Sequence, residues 1–142
     1  MLISSIKLKT SKIHERGLFA IKEIKKGTIV WRLSKHKLYH RKEYREFSKR
    51  YRKILDKFSN TINENGDFIY VQDISRYMNH SCRPNTEYSV KKRLCKAIRN
   101  ISIGEEITYD YRFSMEDWEK FKCFCADTHC KNLITGQIHI KK

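Results

Sequence analysis

Proline and glycine are scarce in this chain, with one proline and five glycines among 142 residues. Each glycine lies where a turn is expected, and no Pro/Gly-rich linker, internal repeat or low-complexity segment divides the sequence. The length therefore predicts one domain that buries about two thirds of its unfolded surface. A hydrophobic content of 39% and a charged content of 33% indicate a modest core beneath a strongly solvated surface.

Long apolar runs are also absent, since no stretch approaches the roughly 18 residues of a membrane span. The opening residues 1–9 lack the basic segment and cleavage site of a signal peptide. Five cysteines are an odd number, and three of them lie within eight residues. This distribution argues against a disulfide framework and favours metal-bound or free thiols in a reducing compartment. We expect a soluble intracellular protein without a membrane partner.

Acidic residues are few: 16 Asp and Glu face 31 Lys and Arg, giving a formal net charge of +15. Such an excess predicts attraction to nucleic acid, to an anionic membrane or to an acidic partner. A lysine-rich composition without any such partner is the alternative.

Short runs with strand character make up much of the chain. They are rich in Ile, Val, Tyr and Phe, as half-buried strands are. The runs cover residues 3–10, 17–22, 28–33, 67–73, 86–90, 94–101 and 106–111. This pattern predicts a mainly β protein of class α+β, with several small sheets joined by tight turns.

One segment has helical periodicity instead, since aromatic and aliphatic side chains recur at three- and four-residue steps over 41–58. The pattern predicts an amphipathic helix there, with eight basic residues on its polar face. A solvated face is the ordinary role of such a charge run. The corresponding hypothesis is non-specific contact with DNA phosphates through residues 41–57. A second, shorter helix is predicted over 114–121, with Ser114 as its N-cap.

Three cysteines near the C-terminus, Cys123, Cys125 and Cys130, have the spacing C-x-C-x4-C. Thiolates two residues apart on an extended chain point the same way, and a short loop can return the third. This arrangement favours zinc, which binds four soft or imidazole ligands in a tetrahedron. Three free thiols on a tail are the alternative. Spacing alone leaves the fourth ligand open among Cys82, Cys95, His129 and His139.

Residues 77–85 read YMNHSCRPN, a loop-like stretch that carries an Asn-His pair and a cysteine together. With residues 11–30 (SKIHERGLFAIKEIKKGTIV) and 104–113 (GEEITYDYRF), it resembles the ordered sequence blocks of the SET-domain protein lysine methyltransferases. The tail CFCADTHC at 123–130 is similar to their post-SET cysteine segment.

The resemblance implies a SET-domain fold of small curved β-sheets with a C-terminal pseudoknot, an insert helix and a zinc-stapled tail. The SET domain would cover residues 1–117, and a post-SET-like zinc-binding segment would cover 118–142. The implied reaction moves a methyl group from S-adenosylmethionine to a lysine amine. Cofactor and substrate would enter from opposite faces and meet in a narrow channel.

Roles follow from the resemblance position by position. Tyr111 matches the catalytic tyrosine, and Tyr109 matches the position where Tyr or Phe limits how many methyl groups are added. Retention of the Tyr109 hydroxyl implies monomethylation. One Zn²⁺ ion would be held by Cys82 and the three tail cysteines, Cys123, Cys125 and Cys130. The implied cofactor-binding residues are His14, Arg16, Gly17, Leu18, Phe19, Arg76, Asn79 and His80.

The chain departs from the family pattern in its tail and its insert. An aromatic residue that often closes over the cofactor is missing after the last cysteine, and Leu133 and Ile134 are its nearest substitutes. Tyr70 and Phe58 are the candidates for a further cofactor-contacting aromatic. No cysteine-rich segment precedes residue 12, so a pre-SET zinc cluster is not expected.

The expected function is methylation of a lysine in a histone or other chromatin protein, in the nucleus of its own or a host cell, or otherwise in the cytoplasm. Histone tails are basic, so a chain of charge +15 repels them at low salt. Docking on DNA through residues 41–57 would offset this repulsion. The alternative function is a zinc-stapled chromatin or nucleic-acid binding module with little or no catalysis.

Overall fold

The computed structural model describes residues 3–63, 65–116 and 119–137, which form twelve short strands and one α-helix. The helix α1 covers Lys49–Phe58, and 3-10 turns cover Arg41–Glu46, Ile74–Tyr77 and Tyr111–Ser114. The mainly β class is confirmed. The strands are β1 (Ile6–Thr10), β2 (Arg16–Ala20), β3 (Ile29–Arg32), β4 (His36–Tyr39), β5 (Ser59–Thr61), β6 (Phe68–Val71), β7 (Asn79–His80), β8 (Thr86–Ser89), β9 (Leu94–Ala97), β10 (Glu106–Tyr109), β11 (Lys120–Lys122) and β12 (Leu133–Thr135).

The strands form four small sheets, in the orders β1-β2-β10-β7, β3-β9-β8, β4-β6-β5 and β11-β12. In the first sheet β10 lies between β2, to which it is antiparallel, and β7, to which it is parallel. A strand from the C-terminal part is thus held between two earlier segments of the chain. This strand order agrees with the pseudoknot that the family resemblance implies.

The hydrophobic core lies mainly between the first two sheets. Leu18 of β2, Val30 of β3 and Ile107 of β10 are fully buried in it, and a bridge between Ile24 and Ile101 extends it. Because β2 and β10 are anchored in this core, the residues that flank them are held in fixed positions.

The predicted helix 41–58 is divided in two, which corrects the continuous helix expected from periodicity. Phe47 is extended and Ser48 is non-helical, and the Ser48 hydroxyl accepts a hydrogen bond from the Tyr51 backbone N–H at 3.2 Å. Serine competes for backbone hydrogen bonds and favours the N-cap position, so α1 starts after it. Within the described residues no helix is long and apolar enough to cross a membrane.

The helix predicted over 114–121 is wrong at both of its described ends. Ser114 closes a 3-10 turn, whereas Lys120–Lys122 is strand β11, paired antiparallel with β12. Residues 117 and 118 lie outside the described part of the chain. The segment forms a strand because Phe121 pairs with the fully buried Ile134. Short-range periodicity in the sequence does not reveal this long-range contact.

Candidate active site and metal centre

Two adjoining cavities share Tyr111 in their walls. The smaller has a volume of about 510 Å³ and lies between the loop that precedes β2, strand β7 and the C-terminal tail. The larger has a volume of about 670 Å³ and is lined by α1, β5 and the region after β10. Both are large enough for a small-molecule or peptide ligand. The residues common to the two linings are Lys57, Phe58, Arg76, Tyr111 and Phe121.

The smaller cavity brings together five of the eight predicted cofactor-binding residues, from blocks some 60 positions apart in sequence. They meet there because β10 separates β2 from β7 by a single strand. Their assignment to cofactor binding stays a prediction. The five residues are His14, Arg16, Arg76, Asn79 and His80.

The buried Asn79 amide ties these two blocks together. Its Nδ2 donates to the Arg16 carbonyl oxygen at 2.9 Å and to Glu106 Oε1 at 2.7 Å, and it lies 3.2 Å from Ser11 Oγ. The Ser11 hydroxyl in turn donates to Glu106 Oε2 at 2.8 Å. The Asn79 side chain therefore fixes the loop before β2 against β7, at the wall of the smaller cavity.

Gly17, Leu18 and Phe19 do not line either cavity. A Cβ on Gly17 would lie 2.0 Å from Glu106 Oε1, so this glycine permits the close approach of a neighbouring side chain. Leu18 is fully buried in the core, and the half-buried Phe19 ring packs near Lys9 Nζ, 5.9 Å from the ring centroid. Cofactor contact by these three residues stays a prediction restricted to their main-chain atoms.

Arg76 is held between aromatic rings at the junction of the cavities. Its guanidinium carbon lies 4.7 Å from the Phe58 ring centroid and 5.2 Å from that of Tyr77. Its Nη1 donates to Tyr70 Oη at 3.3 Å. Of the two aromatics considered for a further cofactor contact, Phe58 lines both cavities, whereas Tyr70 supports Arg76.

The tail supplies aromatic walls that sequence reasoning missed. Phe121 and Phe124 line the smaller cavity, and Phe124 is 57% exposed at its edge. Leu133 is exposed elsewhere and Ile134 is buried, so neither replaces the missing aromatic. The phenylalanine between Cys123 and Cys125 was the available signal, since a residue between two clustered cysteines is held close to their site.

His80 is buried, with 3% of its surface exposed, and its ring packs edge-on against Tyr111 and Phe121. The backbone N–H of Tyr111 donates to His80 Nδ1 at 3.2 Å. Burial lowers the pKa of His80 to about 4, and although Asp110 opposes this shift, Arg112 adds to it. The imidazole is therefore neutral at pH 7.

Tyr109 and Tyr111 lie with their ring centroids 4.8 Å apart. Tyr111 Oη donates to the Met78 carbonyl oxygen at 2.6 Å, and Tyr109 Oη donates to Asn60 Oδ1 at 3.3 Å. Burial raises the pKa of both hydroxyls above the ordinary value, and each has a further anionic or phenolic neighbour that adds to the shift. Both hydroxyls are therefore neutral hydrogen-bonding groups at pH 7.

The larger cavity carries acidic groups despite the basic composition of the chain. Asp56 of α1 and the carboxylates of Glu116 and Glu119 line it, together with Tyr44. Burial raises the pKa of Glu119, and the charges of Glu116 and Asp56 raise it further. Five basic side chains line the same cavity, so its lining carries charges of both signs: Arg41, Arg45, Lys57, Arg76 and Lys120.

Four cysteines form one cluster that joins the tail to the loop after β7. The Sγ atoms of Cys82, Cys123, Cys125 and Cys130 all lie within 4.8 Å of one another. Although burial opposes ionisation, backbone hydrogen bonds at Cys82 and Asp127 lower the pKa of Cys125 to about 7.

The cluster fits a zinc ion. Four thiolates at about 2.3 Å from a tetrahedral zinc lie about 3.8 Å apart, and the Sγ atoms of Cys82 and Cys123 are 3.9 Å apart. Cys95 is buried in β9 outside the cluster, and His129 Nδ1 lies 3.0 Å from Thr128 Oγ1. His139 lies outside the described residues. The set of four thiols can therefore hold the ion without a histidine.

Comparison with known proteins agrees with this geometry. The SET domain family model matches residues 15–112. Histone-lysine N-methyltransferase set1 of Dictyostelium discoideum is 34% identical over 140 residues, which are 91% of this chain and 9% of that protein. Trithorax of Drosophila melanogaster, also a histone-lysine N-methyltransferase, is 31% identical over 134 residues, 87% of this chain and 4% of that protein.

A third relative is the H3 lysine-4 specific histone-lysine N-methyltransferase of Schizosaccharomyces pombe. It is 32% identical over 133 residues, which are 87% of this chain and 14% of that protein. The chain thus spans only a small part of the length of each of these relatives.

Proposed function

Because the chain belongs to the SET-domain family, we propose that it is an S-adenosylmethionine-dependent protein-lysine methyltransferase. The observation that carries the proposal is the pair of cavities with Tyr111 in their common wall. The smaller cavity takes the cofactor, against Asn79, His80 and Arg76. The larger takes the substrate lysine, whose amine reaches the junction beside Tyr111.

When bound, S-adenosylmethionine supplies an electrophilic methyl group beside a positive charge. The protein's contribution is alignment and desolvation. Presenting a lysine amine without its proton at pH 7 costs about 4–5 kcal/mol in water, and a buried site lowers this cost because it disfavours the charged amine. Burial keeps the Tyr111 hydroxyl neutral, so its oxygen orients the amine and does not act as a tyrosinate base.

Monomethylation is the product that the site favours. The Tyr109 hydroxyl occupies space in the larger cavity and is held there by Asn60. A methylated amine needs room to rotate for a second transfer, and this fixed polar group restricts that room.

The substrate we propose is a basic histone tail, with histone H3 lysine 4 as the first candidate because relatives carry that specificity in their names. Asp56, Glu116 and Glu119 supply acidic contacts for such a peptide within a cavity that basic side chains also line. Because histones are part of chromatin, a protein that methylates them acts in a nucleus. The zinc ion would sit in the four-cysteine cluster and hold the tail against the loop after β7.

Non-specific DNA contact through α1 would offset the repulsion between a histone tail and a chain of charge +15. Lys49, Arg50 and Lys53 are exposed on the helix surface, whereas Lys57 pairs with Glu15 at 2.9 Å. Each phosphate contact contributes about −0.9 to the slope of log affinity against log salt.

The DNA contact is tested by fluorescence anisotropy on a short duplex over a series of salt concentrations. Replacing Lys49, Arg50 and Lys53 with glutamine should reduce the slope by up to about 2.7. A matched variant at Lys91, Lys92 and Lys96, on the β8–β9 hairpin, removes the same charge elsewhere. Equal slopes for the two variants would overturn a contact localised on α1.

The enzyme proposal is tested with an H3 tail peptide, the same peptide with lysine 4 replaced by arginine, and nucleosomes. Transfer to the first peptide and to nucleosomes, and none to the second, is expected. Heat protection by cofactor is measured in parallel, since a ligand at 100 times its Kd stabilises the fold by about 2.7 kcal/mol. Neither transfer nor protection would favour the zinc-stapled binding module instead.

A further inference from the structure

The His80 ring touches both the metal centre and the catalytic region through its two nitrogens. Nδ1 accepts the backbone N–H of Tyr111 at 3.2 Å. Nε2 lies 3.5 Å from Sγ of Cys82, one of the four clustered cysteines. A single buried side chain thus spans the distance between the cysteine cluster and the residue shared by both cavities.

The contact with Tyr111 determines which nitrogen carries the proton. A backbone N–H can only donate, so Nδ1 must present its lone pair. Because this contact leaves Nδ1 without a proton, the proton of the ring is on Nε2, which faces the sulfur. The hydrogen bond on the sulfur side therefore runs from His80 Nε2–H to Cys82 Sγ.

A cysteine that ligates zinc is a thiolate, which accepts a hydrogen bond more strongly than a thiol does. Occupation of the cluster thus stabilises the tautomer with its proton on Nε2. The opposite tautomer would set Nδ1–H against the Tyr111 N–H. Asp110 Oδ1, an acceptor for that Nδ1–H, lies 3.8 Å from Nδ1. The two tautomers consequently hold Tyr111 differently.

We propose that His80 is a positioning residue that transmits the state of the four-cysteine metal centre to Tyr111, through an Nε2–H···Sγ bond on one side and an N–H···Nδ1 bond on the other. The inference concerns regulation of the proposed methyl-transfer site and rests on that proposed function. It adds to any contact that His80 makes with the cofactor. It makes the tail metal a requirement for active-site geometry as well as for folding.

The bridge is measured directly by NMR on protein with labelled histidine and with the cluster filled by an NMR-active cadmium isotope. We expect His80 to be protonated on Nε2 alone and to show a scalar coupling from that proton to cadmium through Cys82 Sγ. Protonation on Nδ1, or no coupling in the presence of the Nε2 proton, would overturn the proposal. Neither readout depends on methyl transfer.

Two variants separate the halves of the bridge. His80→Asn keeps an acceptor close to the position of Nδ1 but has no group at Nε2. His80→Gln keeps a donor close to Nε2 but has no acceptor at Nδ1. In cobalt-substituted protein, His80→Asn should shift the sulfur-to-cobalt absorption band to lower energy, and His80→Gln should leave it in place.

Both variants should lower kcat by about 10- to 100-fold, as loss of groups that orient metal ligands does, with little change in the KM of the peptide. Equal band positions in the two variants would contradict the bridge and indicate a ring that only fills space. If the wild-type coupling is present but no peptide is methylated, the enzyme proposal fails while the hydrogen-bonded bridge stands. If peptide is methylated but the coupling is absent, the bridge fails alone.

Discussion

Tyr109 ends β10 and Tyr111 begins the 3-10 turn that follows it, and their hydroxyls are held by different partners. The Tyr111 hydroxyl is fixed by a main-chain carbonyl, that of Met78, which no substitution at that position removes. The Tyr109 hydroxyl is fixed by a side chain, Asn60, on a different sheet. The hydrogen bond of the Tyr111 hydroxyl therefore persists whatever side chain is at position 78. That of the Tyr109 hydroxyl can be removed by a single substitution of Asn60.

Replacing Tyr109 with phenylalanine is expected to shift the products from monomethyl-lysine toward dimethyl- and trimethyl-lysine. The substitution removes the hydroxyl that restricts the larger cavity and preserves the ring contacts with Tyr88 and Tyr111. The measurement is a time course of peptide products by mass spectrometry, carried to several turnovers.

Tyr88→Phe is the matched control for this change. Tyr88 is buried beside Tyr109, and its hydroxyl has no hydrogen-bond partner among the described residues. It should leave the product ratio unchanged. An unaltered ratio in Tyr109→Phe, or an equal change in both variants, would contradict the role assigned to Tyr109.

Sequence motifs predicted those residues of the site whose contact partners also belong to a recognised motif. Asn79 and His80 were predicted from their block, and both line the smaller cavity. Asn60 was missed because its contact with Tyr109 joins positions 49 residues apart. The local sequence around neither residue predicts that contact. Phe124 was missed because its position depends on how the cysteine cluster folds the tail.

At the scale of elements, β2 and β10 meet so closely at Gly17 that side-chain volume decides their pairing. A Cβ there would collide with Glu106 Oε1, one of the acceptors of the Asn79 amide. The clash would displace a carboxylate that also accepts from Ser11. The glycine is thus a packing requirement between strands.

Gly17→Ala is expected to lower the free energy of unfolding by about 1–3 kcal/mol, because it deprives the buried Asn79 amide of one of its acceptors. In a Glu106→Ala background, where that carboxylate is already gone, the same substitution should cost far less. Urea denaturation of the four proteins measures the difference. Additive losses would show that the Glu106 carboxylate is not what Gly17 accommodates.

Helical periodicity correctly predicted a helix in the insert, but it placed the first residue of that helix too early in the sequence. Residues 41–58 carry apolar side chains at helical steps throughout, and the structure still begins α1 at Lys49 because Ser48 caps it. Periodicity records which face is buried, whereas the helix start depends on one local hydrogen bond. Strands as short as β7, at Asn79–His80, offer too few residues for a period at all.

At the scale of the whole molecule, the cysteine cluster links the C-terminal tail to the loop beside the smaller cavity. Cys82 belongs to that loop, and the other three cysteines belong to the tail. The cluster was foreseen from spacing and the family resemblance together, since spacing alone left the fourth ligand open.

Elemental analysis should find one zinc ion per chain, and Cys125→Ser should lose it. Because structural zinc contributes on the order of 10 kcal/mol of binding free energy in small zinc domains, the variant should melt at a clearly lower temperature. Cys95→Ala, a buried cysteine outside the cluster, should keep its metal. Loss of zinc from Cys95→Ala, or full zinc in Cys125→Ser, would contradict the assigned ligand set.

The central claim is that cofactor and lysine meet at Tyr111. It is tested most directly by mass spectrometry of histone H3 incubated with S-adenosylmethionine and either the wild-type protein or Tyr111→Phe. The account predicts a gain of one methyl group on a lysine with the wild type and a rate about 100-fold lower with the variant, which has lost the group that positions the amine. Equal methylation by both proteins, or none by the wild type despite bound cofactor, would contradict it.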